Sequence, residues 1–222
     1  MFEGDNTVLV IGAHPDDEVL GAGGTIAKHA NSGDDVHILI VTEGTTHQYG
    51  DTELIEEKKK QAKLCADTLG ASTVHFGDLP DMKLDQIPHV EVNSVIEDMC
   101  DKVNPDIVYT HSRREVNLDH LAVHESTVVA TRPGSGVSTV LTYETPSSTD
   151  FATDIDGFNP TLFTEIEEYL GLKTDAFDCY ETEVREYPHP RSTESIRSIA
   201  KARGAASGHR AAEAFDILRA YR

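Results

Sequence analysis

Short β-branched apolar runs and longer amphipathic stretches alternate along the first 143 residues, and few architectures accommodate such an alternation. Residues 7–12, with Val8-Leu9-Val10-Ile11 at their centre, then 36–42, 73–77, 107–110 and 137–143, read as strands. Residues 18–32, 52–70, 89–103 and 119–131 read as helices. Strands separated by helices of this length predict an α/β fold: a doubly wound, mostly parallel sheet with helices on both faces and ligands at the carboxyl ends of its strands. From 144 to 163 the pattern dissolves into Pro, Ser, Thr, Asp and Gly; helices return at 164–181 and 192–206, and a closing strand is expected near 214–218. The last roughly 75 residues read as cover for the sheet, so residues 1–222 are expected to form one domain.

Composition narrows the partners. With 39 acidic residues against 19 basic ones the formal charge is −20, which opposes binding to nucleic acid or to anionic lipid. The acids are spread along the chain and describe a solvated surface, a composition like that of halophile proteins from salt-loaded cytoplasms. Cys65, Cys100 and Cys179 are odd in number, far apart and never C-x-x-C, which points to a reducing compartment and away from a thiolate metal site. The first residues lack a basic segment and a long apolar run, so neither a leader nor a membrane span is expected, and the expected location is the cytoplasm.

The first strand runs directly into Gly12-Ala13-His14-Pro15-Asp16-Asp17-Glu18. A dinucleotide-binding turn would place glycines at 12, 14 and 17; here His14 and Asp17 occupy the last two positions, so a pyrophosphate is not invited. An imidazole and a carboxylate three residues apart on a turn stiffened by Pro15 can converge on one ion, and that donor pair suits Zn²⁺ better than Mg²⁺ or Ca²⁺. Asp16 between them points elsewhere and stays free to act as a base. The competing reading is that Asp16, Asp17 and Glu18 only cap a helix and favour its positive end.

About a hundred residues later, Tyr109-Thr110-His111-Ser112-Arg113-Arg114-Glu115-Val116-Asn117-Leu118-Asp119-His120 follows another apolar strand and returns to the same sheet edge. His120 and His124, four residues apart on one helix face, are both candidate third ligands. Asp119 is a candidate for holding an imidazole in the correct tautomer.

A-H-P-D-D-E after the first strand and D-H opening a later helix resemble the PIG-L/LmbE-like family of zinc-dependent N-acetylglucosaminyl deacetylases. T-H-S-R-x-x-x-N-x-D-H, A-T-R-P, Y-E-x-x-S-S-T at 143–149, P-H-P-R-S, and R-G with A-E-A-F near the end extend the resemblance over nearly the whole chain. It implies a Rossmann-like sheet, a homo-oligomer and a small-molecule N-acetyl sugar substrate. It also implies Zn²⁺ held by His14, Asp17 and His120, with Asp16 as general base and Asp119 behind the ligands. Many relatives read H-x-D-H where this chain has Asn117, an amide that cannot shuttle a proton. His189 in Pro188-His189-Pro190-Arg191 is the first candidate substitute for that group, with His111 next. Arg113, Arg114, Arg132 and Arg191 are candidates for meeting a phosphate or carboxylate on the substrate.

The implied reaction is hydrolysis of an N-acetyl group, releasing acetate and a free amine. Two other readings stand beside it. One keeps the metal and cleaves another amide or an ester. The other is a receiver-like signalling domain with an acidic pocket, which would explain Asp16 and Asp17 but gives no role to His14 or His120.

Overall fold

Side chains alternate along the first strand as a pleated backbone requires: Val8 and Val10 enter one apolar core, Leu9 and Ile11 another. The computed structural model describes residues 2, 4–45, 54–152 and 157–221. The elements are β1 (Thr7–Gly12), α1 (Asp17–Ser32), β2 (Asp35–Thr42), α2 (Leu54–Leu69), β3 (Thr73–Leu79), α3 (His89–Val103), β4 (Ile107–His111), α4 (Leu118–Ala130), β5 (Thr139–Tyr143), β6 (Leu162–Glu165), α5 (Leu170–Asp178), α6 (Thr193–Ser207) and β7 (Ala212–Ala220). They build a seven-stranded sheet in the order β3-β2-β1-β4-β5-β7-β6. The first five strands are parallel, and β7 runs antiparallel to both β5 and β6.

One core joins β1 and β2 to Val19 and Ile26 of α1, Cys65 and Leu69 of α2, and Phe177 of α5. The other joins the opposite face to Val92 and Ile96 of α3 and Val123 of α4. The sheet is thus covered on both sides, which is why β1, β2 and β4 read as continuous apolar runs. β1 lies between β2 and β4, so the chain winds outward in one direction through β2 and β3 and in the other through β4 and β5. The crevice at this reversal opens at the carboxyl ends of β1 and β4, where His14 and His111 stand. Among the described residues no helix is long and apolar enough to cross a membrane.

The expected helix at 164–181 needs correction. Residues 162–165 form β6, pairing through Phe163 with Ala214 and through Thr164 with Glu213, and α5 begins only at Leu170. Thr164 and its neighbours carry weak local preferences, and pairing with β7 decides their state. β7 itself extends beyond the expected 214–218 at both ends. Residues 52–53, expected to open a helix, lie outside the described residues.

Candidate metal centre and active site

The β1–α1 turn is fixed by backbone bonds before any side chain reaches the crevice. Ala13 accepts from the N–H and the hydroxyl of Thr42 and donates its own N–H to Nε2 of His111 at 2.9 Å. The His14 N–H donates to Oδ2 of Asp17 at 2.7 Å. Asp16 has a φ of 118°, a left-handed conformation that L residues adopt only under constraint, at a cost on the order of 1–3 kcal/mol. Such strain sits where a side chain must be aimed.

Three donor atoms converge here. Nδ1 of His14 lies 3.1 Å from Nε2 of His120, and each of these nitrogens lies 3.3 Å from Oδ2 of Asp17. Zinc bonds of about 2.0–2.1 Å at tetrahedral angles separate neighbouring donors by roughly 3.3 Å, so the triangle has the size a zinc ion requires. Among the described residues the second oxygen of Asp17 is buried with no hydrogen-bond partner, an orphan that a cation would satisfy. Two imidazoles and one carboxylate form a donor set for a divalent transition metal with positions left for water or substrate. His14, Asp17 and His120 therefore fit such an ion.

The nitrogens on the far side of both rings meet carboxylates. Nε2 of His14 lies 3.0 Å from Oδ2 of Asp119, and Nδ1 of His120 lies 2.9 Å from Oε2 of Glu115. Asp119 therefore faces the imidazole of His14 rather than that of its neighbour His120. It is held there by the backbone N–H groups of Met82 and Leu84, which donate to its two oxygens. Glu115 accepts from the hydroxyls of Ser148 and Thr149 and from the backbone N–H groups of Val116 and Asn117. Sequence reasoning missed Glu115. Its hydroxyl partners, Ser148 and Thr149, lie in the Ser-Ser-Thr of the distant 143–149 segment, so no local signal marked it.

The electrostatics match a pocket built for a cation. Burial disfavours charge on His14, but Asp119 and Asp17 outweigh it and raise its pKa to about 10. Burial works against ionised Asp17 too, yet His120 and His111 hold it well below the usual carboxylate range. His111 goes the other way: burial, then the charge on His120, push it down to about 4, so it stays neutral. For Asp16, burial dominates and pushes it up to about 7; the guanidinium of Arg191 opposes the shift, while Asp17 and Glu183 add to it.

The remaining nominated residues are dispersed. His124 donates from Nδ1 to the carbonyl of His111 at 2.8 Å and belongs to none of the metal-holding groups among the described residues. Asn117 is the N-cap of α4, its side-chain oxygen accepting from the N–H of Asp119, so its amide secures the helix that carries His120. His111 stacks on His120 with ring centroids 3.9 Å apart, and both its nitrogens are engaged, one by Ala13 and one by Thr145. His189 is exposed, and its Nδ1 accepts from the Arg191 N–H. Two residues on, the guanidinium of Arg191 lies 3.3 Å from Oδ2 of Asp16. Arg132 pairs with Glu97 at the surface, while Arg113 and Arg114 are exposed at a cavity beside α4.

Comparison with known proteins finds relatives of nearly the whole chain. Residues 9–131 match the family model described as PIG-L, GlcNAc-PI de-N-acetylase. The chain is 30% identical to diacetylchitobiose deacetylase of Thermococcus kodakarensis, over 98% of this chain and 85% of that protein. It is 33% identical to 4-oxalmesaconate hydratase of Pseudomonas putida, over 58% of this chain and 54% of that protein. The structure of N,N'-diacetylchitobiose deacetylase from Pyrococcus horikoshii superposes with a TM-score of 0.78 at 23% identity, covering 98% of this chain and 85% of that one. With its motifs, its doubly wound sheet and these matches, the chain belongs to the PIG-L deacetylase family.

Proposed function

We propose that this protein is a zinc-dependent N-deacetylase that hydrolyses the acetamide of an N-acetylated sugar or sugar conjugate. The observation that carries the reading is the triangle of His14 Nδ1, Asp17 Oδ2 and His120 Nε2 with Asp16 alongside but outside it. His14, Asp17 and His120 would hold the zinc ion, which would supply Lewis acidity toward the attacking water and the acetyl carbonyl.

The chain supplies the rest. Asp16, with a pKa raised to about 7, can take a proton from the attacking water and return it to the departing amine nitrogen. Asp119 and Glu115 keep His14 and His120 in the tautomers that leave Nδ1 and Nε2 free as donors. His111, neutral and locked between Ala13 and Thr145, forms an uncharged wall that stacks on His120. The diacetylchitobiose deacetylases among its relatives support an N-acetyl sugar as the substrate class.

Kinship with a hydratase supports a second reading, in which the same base and water add across a carbon–carbon double bond. Acetate release from a panel of N-acetyl and O-acetyl sugars separates the two. Under the deacetylase reading, wild-type protein liberates acetate from an N-acetyl sugar, while Asp16→Asn retains metal and loses about 10²-fold or more in turnover. Full turnover in Asp16→Asn would remove the proposed base, and hydration without acetate release would favour the second reading.

A further inference from the structure

Asp16 and Asp17 are adjacent carboxylates at one candidate metal centre, yet only Asp17 belongs to the donor triangle. A carboxylate one residue away from a metal ligand can itself coordinate the cation when its side chain is free to turn toward it. Backbone conformation supplies part of the restraint, Asp16 being held at a left-handed φ of 118° while Asp17 opens the regular helix α1. A buried chain of alternating charges supplies another part. Oδ2 of Asp16 faces Nε of Arg191 at 3.3 Å, and the Arg191 NH1 donates to Oε2 of Glu183 at 2.7 Å. The other oxygen of Glu183 pairs with Nζ of Lys58 on α2. Asp16, Glu183 and Lys58 are each no more than 2% exposed, and the Arg191 side chain between them is 20% exposed, so the array runs from α2 to the β1–α1 turn with only its guanidinium member reaching solvent.

In a low-dielectric interior such an array acts as a unit, and deleting one member leaves its neighbour charged and uncompensated. The neighbour that loses its partner with Arg191 is Asp16, a buried carboxylate next in sequence to the metal-holding Asp17. The loop that presents Arg191 is itself tied down. The Arg185 N–H donates to the Arg191 carbonyl, and the Ser192 N–H donates to the His189 carbonyl. Ser192 caps α6.

We propose that Arg191 is the positioning residue that keeps Asp16 out of the metal's coordination shell, and that Glu183 and Lys58 hold Arg191 in place. The inference rests on the reading above for the metal held by His14, Asp17 and His120 and for Asp16 as the base; its spectroscopic test needs no turnover. Asp16 is thereby reserved for proton transfer although a cation lies close by.

The test uses full-length protein loaded with Co²⁺, whose visible absorption weakens and shifts as its coordination number rises. In Arg191→Met the expected result is one Co²⁺ retained per chain, a spectrum of higher coordination, and kcat lowered about 100-fold with KM little changed. Guanidinium salts in the buffer should partly restore both spectrum and kcat, which a merely structural role would not produce. Arg191→Lys, which keeps the charge and perturbs folding least, should show an intermediate spectrum, and Lys58→Met should shift in the same direction.

Adding Asp16→Asn to Arg191→Met should return the spectrum to that of the wild type. A wild-type spectrum in Arg191→Met or, if that variant fails to fold, in Arg191→Lys would overturn the inference. So would a spectral change that survives the Asp16→Asn substitution. Full acetate release by Asp16→Asn alone would instead sink the base assignment and leave the coordination result standing.

Discussion

Glu115 presents Oε2 to Nδ1 of His120 at 2.9 Å, on the side of the ring opposite the nitrogen that meets His14 and Asp17. The carboxylate is pinned in turn by Ser148 and Thr149, so the orientation of a metal-facing imidazole is set by hydroxyls from the segment after β5. Glu115→Gln keeps the shape and removes the charge. It should weaken zinc binding by about 10–100-fold, as measured by competition with a chelator of known affinity. Unchanged affinity would show that the contact does not govern the ring.

Asp119 serves two structures at once, the ring of His14 and the backbone of Met82 and Leu84. Asp119→Ala should therefore lower stability as well as metal affinity. The buried N–H of Leu84 left without an acceptor should cost about 1–3 kcal/mol in chemical denaturation of metal-free protein, and the part-buried N–H of Met82 less. A stability equal to wild type would mean that the loop finds other acceptors.

Gly21 brings α1 against β5. A Cβ there would lie 2.1 Å from Cδ2 of Tyr143, and that ring is fully buried with its hydroxyl donating to the Ile11 carbonyl at 2.6 Å. Gly21→Ala should cost about 1–3 kcal/mol through overpacking, despite the higher helix propensity of alanine. Thermal unfolding at or above the wild-type temperature would refute this.

His29, at the other end of the molecule, donates from Nδ1 to Asp34 at 2.6 Å and accepts from the Tyr109 hydroxyl at 2.9 Å, a complete set of partners for the neutral ring. Burial lowers its pKa, with Asp34 opposing. The unfolded chain therefore binds the extra proton first. The stabilisation from His29 is fully present above about pH 6.5, the unperturbed value, and is lost as pH falls through the folded pKa. The stability difference between wild type and His29→Gln should be largest near neutral pH and shrink on acidification. A difference that is constant with pH would contradict the assignment.

β1, β2 and β4 were legible because they are buried on both faces and read as apolar runs, while β3, a half-buried edge strand, was marked by its place between helices; α3 was bounded by the same residues in sequence and structure. β6 was not legible, because residues 162–165 become a strand only through β7, some fifty residues further on. At the site, the spacing of His14 and Asp17 on one turn made them candidates, while the residues after β4 left His120 and His124 as alternatives that only the family resemblance separated. Glu115 could not be read, since nothing local distinguishes a carboxylate that will hold an imidazole from one facing solvent. In Pro188-His189-Pro190-Arg191 the histidine drew the eye as the titratable group, but the loop geometry delivers Arg191 to Asp16 and leaves His189 at the surface.

Metal analysis of purified wild type and His14→Ala, after equilibration with limiting Zn²⁺ and gel filtration, tests the centre most directly. One zinc ion per wild-type chain and none in the variant is the predicted result. Equal zinc in both, or none in either, would contradict a metal centre built on His14, Asp17 and His120.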